Sequence, residues 1–148
     1  RRNCFLVLTF KYGGNIVDDF YLRFKDGQVI DFGAKEGYEV LKGFYSDEGS
    51  KRLGEVALIP YHSPINELKT LFYNTLYDEN ASCHMALGIG FSECIKGGID
   101  MDKKELFEKV NDSLVHVDFM MGTEDLMIDG ILEDGSHVKI FENGNFVF

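Results

Sequence analysis

The segment SLVHVDFMMG, residues 113–122, sets a histidine and an aspartate two positions apart inside an apolar run. Its β-branched and aromatic content predicts a strand. Side chains alternate across a strand, so His116 and Asp118 share one face while Val115, Val117 and Phe119 take the other. An imidazole beside a carboxylate is a pair of ligands for a borderline divalent metal. The same two residues could equally be a satisfied polar pair on a half-wet sheet face.

Two other places set ionisable groups among apolar neighbours. Glu55 lies in GEVALIP and shares a strand face with Ala57 and Ile59. A buried carboxylate needs a partner or a metal, whereas one at a strand edge is simply solvated. Glu79 and His84 lie in DENASCH, five residues apart. That separation is about 140° on a helix, so they converge only if Glu79 sits in the loop before a helix that carries His84. Asp78 or Asn80 could serve as the helix cap there. Cys83 beside His84 is read as a buried core thiol, because adjacent residues point apart. Taken together, Glu55, Glu79, His84, His116 and Asp118 make the inventory of a two-metal hydrolytic site, in which carboxylates and imidazoles hold two ions. Spacing alone leaves their convergence open.

Other candidates carry less. His62 and His137 fall in or beside turns and read as surface residues. GIGF (88–91) is a lone G-x-G without the helix that a phosphate loop needs. Ser113 and Cys94 have no evident base partner. The acidic residues of 99–112 read as a solvated face.

The elements that must position these groups follow from periodicity. CFLVLTF (4–10) predicts a strand and YGGN a turn. FYLRFKDGQVIDF (20–32) predicts a hairpin closed at Asp26-Gly27. EGYEVLKGFY (36–45) shifts to helical spacing, with Tyr38, Leu41, Phe44 and Tyr45 on one side. GEVALIP (54–60) is a short strand ended by Pro60. The stretch from Leu68 to Gly88 predicts an extended piece, a loop at Asp78-Glu79, then a helix through Ala86. MDKKELFEKV (101–110) is a short amphipathic helix. Strands return at 113–121, 126–132 and 137–141, with turns at EDGS and ENGN. Strands at both ends around a helical middle predict one α+β domain over residues 1–148, with a mostly antiparallel sheet.

Composition bounds the function classes. The 148 residues are 45% hydrophobic and include 13 Phe and 7 Tyr, which suits a folded domain with a sizeable core. The net charge of −10, from 25 acidic and 15 basic residues, argues against a nucleic-acid partner. No stretch approaches the roughly 20 apolar residues of a membrane helix. Three cysteines without a CxxC pair suit a reducing compartment, hence the cytoplasm. N-x-S sequons at Asn80 and Asn111 have no meaning there. The opening RRNCFLVLTF enters a strand at once and lacks an initiator Met, so the chain is expected to derive from something longer.

LGEVALIPYHSPI, LFYNTLYDENASCHMALG, NDSLVHVDFMMG and DGILEDGSHVKIFENGNF closely resemble segments of the aminopeptidase T / aminopeptidase S family, the thermophilic-type metallo-aminopeptidases. The likeness runs from about residue 12 to the C-terminus, with the motifs in the same order. It implies the C-terminal, metal-binding domain of the thermophilic metalloprotease-like fold. It also implies a cytoplasmic, homodimeric exopeptidase that removes N-terminal residues from peptides, using two divalent ions (zinc, cobalt or magnesium). The family's ligands fall on Glu55, Glu79, His84, His116 and Asp118, with Glu55 as base or bridging ligand. Two departures stand out. The family's upstream TEEVF-type glutamate and its N-terminal α/β domain have no counterpart here. The family's tyrosine seven residues after the DENA-motif histidine is Phe91, which has no hydroxyl to stabilise a tetrahedral intermediate. The competing expectations are a truncated, non-catalytic metal-binding or interaction domain, and a plain acidic α+β domain without metal.

Overall fold

The Asp26-Gly27 pair closes a hairpin: both residues take positive φ, 51° and 74°, the backbone of a two-residue turn that matches strand twist. This hairpin belongs to a computed structural model that describes the backbone of residues 3–7, 10–45 and 48–148, with side chains from residue 12 on. The expected strand over 4–10 therefore falls partly outside the described residues.

The chain opens with four strands, β1 (Asn3–Val7), β2 (Phe10–Tyr12), β3 (Asn15–Lys25) and β4 (Gln28–Glu36), then helix α1 (Tyr38–Phe44). A 3-10 turn, Gly49–Lys51, leads into β5 (Leu53–Ala57). Two helical turns follow, α2 (Pro64–Glu67) and α3 (Thr75–Asp78), the second running on into a 3-10 turn at Glu79–Ala81. Strand β6 (His84–Gly88), helix α4 (Lys103–Phe107) and strand β7 (His116–Met120) come next. The tail is β8 (Ile128–Ile131), β9 (His137–Glu142) and β10 (Asn145–Phe146). This is a mixed α and β chain with mostly antiparallel pairing and a few short helices, which bears out the expected α+β class.

The described residues divide into two compact units, Arg1–Val56 with Met85–Phe119, and Ala57–His84 with Met120–Phe148. In the first, the long strand β3 pairs antiparallel with β2 through Asn15–Val17 and with β1 through Phe20–Phe24, while β4 runs along it from Glu36 to Gln28. The directly opposed Arg23 and Asp31 form an ion pair at 3.0 Å. Alternation along β3 buries Phe20, Leu22 and Phe24. Leu41 and Phe44, three apart on α1, close over the same core. A second sheet has the order β5-β6-β7 and supplies Leu87, Val117 and Phe119 to that core. The Phe119 ring meets Phe20 edge-on, 6.3 Å between centroids. Asp102 caps α4 by accepting from the Glu105 amide.

In the second unit, β8, β9 and β10 form an antiparallel sheet that buries Phe141 beneath Phe146. The Tyr61 amide donates to the Gly144 carbonyl and the His62 amide to the Asn145 side chain, tying the loop after β5 to the last turn. Asn74 caps α3 through the Leu76 amide. The buried Asp78 carboxylate accepts from the amides of Phe72 and Asn74, so it pins the preceding loop.

The expected course of residues 68–88 is corrected: Thr75–Asp78 is helix α3 and Glu79–Ala81 a 3-10 turn, where an extended piece and a loop were expected. No helix runs through Ala86; residues 84–88 are strand β6. Ser82 is already extended, at φ −160° and ψ 176°, and β6 lies in the middle of its sheet. A central strand covered on both faces reads as a continuous apolar run without alternation, and Ala, Met and Leu there mimic a helix. The short strand β10 was not anticipated either.

Candidate metal centre

Strand β7 has two faces, as alternation requires. Val117 and Phe119 enter the core, and His116 and Asp118 turn the other way. Glu55 stands on β5, two strands away and therefore roughly 9–10 Å across the sheet. On the intervening β6, Met85 and Leu87 pack with the core, so alternation gives Ala86 to the opposite face. Alanine is short enough for a glutamate and an imidazole to meet over it. They do: His116 Nε2 lies 3.2 Å from Glu55 Oε2 and 3.1 Å from Asp118 Oδ1. The side chains are sheltered rather than sealed, 20% exposed for His116, 23% for Glu55 and 9% for Asp118.

The other imidazole nitrogen decides the chemistry. His116 Nδ1 donates to the Ile89 carbonyl at 2.8 Å. Nε2 is thereby the nitrogen aimed at two carboxylate oxygens. A lone pair facing two anionic oxygens is repulsive, so the position calls for a proton or a cation. With a proton there, Asp118 chiefly, helped by the Ile89 carbonyl and the Glu55 charge and opposed by burial, pushes the His116 pKa up to about 9.

Glu79 and His84 lie in the second unit, on the 3-10 turn and at the start of β6. Their ligand atoms come within 4.8 Å of each other. His84 is buried, and its Nδ1 donates to the Ser82 carbonyl at 3.2 Å. Both histidines thus spend Nδ1–H on a backbone carbonyl and direct Nε2 elsewhere, the arrangement in which histidine ligates metals. Glu55, His116 and Asp118 are brought together in one unit, and Glu79 with His84 in the other.

Sequence reasoning did not find the carbonyls of Ile89 and Ser82, because any residue type supplies a carbonyl. The remaining candidates fall where expected. His62 and His137 are exposed, the former paired with Glu67 at 2.9 Å. Cys83 is buried and donates its thiol to the Ile59 carbonyl. The Phe91 ring lies 4.7 Å from the His116 ring, so this residue borders the cluster.

Residues 7–146 match the family described as thermophilic metalloprotease (M29). The chain belongs to this family. It is 54% identical over 139 residues to aminopeptidase 2 of Geobacillus stearothermophilus, covering 93% of this chain and 34% of that protein. It is 51% identical to aminopeptidase AmpS of Bacillus subtilis (strain 168), with 93% and 34% covered. The solved structure of wild-type AmpT from Thermus thermophilus superposes with a TM-score of 0.80 at 37% identity, covering 96% of this chain and 36% of that one. This M29 chain therefore spans about a third of the length of the relatives it matches. A divalent metal is implied by the family description, and the residues present fit one. The donors are oxygen and imidazole nitrogen, both histidine rings are oriented through Nδ1, and His116 Nε2 faces two carboxylates.

Proposed function

We propose that this chain carries the metal-binding residues of an aminopeptidase that hydrolyses N-terminal residues from peptides with two divalent ions. One observation carries the reading: His116 Nε2 sits between Glu55 and Asp118 oxygens while Nδ1 is tied to a carbonyl. Glu55, His116 and Asp118 would hold one ion, and Glu79 with His84 would supply ligands to the other. Zinc, cobalt and magnesium are the candidate metals. Bound there, such ions polarise the scissile carbonyl and lower the pKa of an attacking water.

The chain's own groups do the remaining work. Glu55 is the base: it takes a proton from the attacking water and delivers it to the departing amine as the C–N bond breaks. Its half-sheltered position keeps Oε2 directed by His116 instead of rotating freely in solvent. The substrate's free α-ammonium is drawn to the carboxylates, which limits cleavage to the N-terminus. A cytoplasmic homodimer is the proposed working form, and sedimentation of the full chain tests it.

Glu55→Gln removes the base while keeping the shape. Hydrolysis of an aminoacyl anilide should fall about 10²–10⁴-fold with the melting temperature nearly unchanged. Parent-level hydrolysis by that variant would overturn the assignment of Glu55.

A second reading, a metal-binding or interaction domain without turnover, is favoured by one feature. The ring against His116 is Phe91, which has no hydroxyl to donate to a developing oxyanion. Phe91→Tyr raises turnover under the first reading and leaves it at zero under the second.

A further inference from the structure

The Ile89 carbonyl that orients His116 is itself held by a small backbone junction, and one side chain stands at its centre. Asn111 donates both hydrogens of its amide, to the Gly49 carbonyl at 2.8 Å and the Gly88 carbonyl at 2.6 Å. Its own backbone carbonyl accepts from the Gly90 amide at 2.9 Å. Asn111 therefore grips the residue on each side of Ile89. The Ile89 amide is fixed as well, donating to Val115 at 2.8 Å, and the Gly88 amide donates to Arg52 at 2.9 Å. Backbones approach closely at this junction. A Cβ on Gly54 would overlap the carbonyl oxygens of Gly88 and Ile89, and one on Gly88, at φ 108°, would overlap the Val115 carbonyl. Neither Gly54 nor Gly88 has room for a side chain, and the hydrogen bonds of Asn111 hold the residues on both sides of Ile89.

We propose that Asn111 is a positioning residue for the metal centre, holding the Gly88–Gly90 segment so that the Ile89 carbonyl fixes the ring of His116. This rests on the reading of His116 as a metal ligand. Asn111 touches neither the carboxylates nor any reacting atom; it acts through Ile89. The Ile89 carbonyl is the direct partner of His116, and losing such a partner typically changes metal affinity about 10- to 100-fold.

The test uses the full chain and its Asn111→Asp variant, which keeps the shape but replaces a double donor by an acceptor-only group. Two quantities are read: zinc affinity by calorimetry, and the exchange rate of the His116 Nδ1 proton in histidine-labelled protein, assigned by its loss in His116→Gln. Asn111→Asp should weaken zinc at least about tenfold and speed exchange of the ring proton. A variant that only melts earlier, with zinc affinity within about twofold and the ring proton still protected, overturns the proposal and leaves the metal reading intact. Parent protein that takes up no zinc overturns the metal reading, and the role of Asn111 with it. If Asn111→Asp does not fold, the parent suffices: the His116 ring proton and the Gly90 amide should open with the same free energy under native-state exchange. Independent opening of the two overturns the proposal.

Discussion

At the scale of single residues, the site turns on what occupies the space between His116 Nε2 and the oxygens of Glu55 and Asp118. Without metal, that occupant is a proton, and the His116 pKa is raised to about 9 from 6.5. The folded state then binds the proton more tightly than the unfolded chain does. The stabilisation is complete below pH 6.5 and is lost as pH rises through about 9. Chelator-treated protein should therefore lose melting temperature across that window, and His116→Gln should lose the part of the slope that His116 contributes. Zinc entering this position at pH 7 displaces the proton, so about one proton per ion should be released there. Calorimetry in buffers of different ionisation enthalpy measures it. Zinc uptake with no proton release would mean that the metal goes elsewhere.

At the scale of elements, β7 separates stability from chemistry by alternation. Phe119 is 2% exposed and belongs to the core, whereas Asp118 beside it points to the cluster. Phe119→Ala should cost about 3–5 kcal/mol in denaturant unfolding yet change zinc affinity of the folded protein less than tenfold. A large loss of affinity would show that the two faces are not independent. The same alternation made this strand legible in the sequence, and with it His116 and Asp118. The Asp26-Gly27 hairpin was legible too, because its turn demands positive φ and those residues tolerate it. Residues 84–88 were not, since β6 is covered on both faces and shows no period. His84 was thus recognised as a ligand candidate on the wrong element. Asn111 went unrecognised because its partners are the carbonyls of Gly49, in a 3-10 turn, and Gly88, at the end of β6, which meet only in the fold.

At the scale of the whole molecule, the chain spans 34% of its aminopeptidase relatives, yet Glu55, His116 and Asp118 lie together in one unit, and Glu79 with His84 in the other. The grouping sets a limit on what metal-free protein can tolerate. Carboxylates held close repel each other, and the net charge of −10 adds to the repulsion. A bound cation should relieve this and raise the melting temperature with the logarithm of its free concentration over its dissociation constant. The most direct measurement is a calorimetric titration of zinc into chelator-stripped protein, repeated on His116→Gln. The expected result is two ions per chain for the parent, with one site abolished by the substitution. Absence of binding, or a stoichiometry and affinity untouched by His116→Gln, would contradict the metal centre at its root.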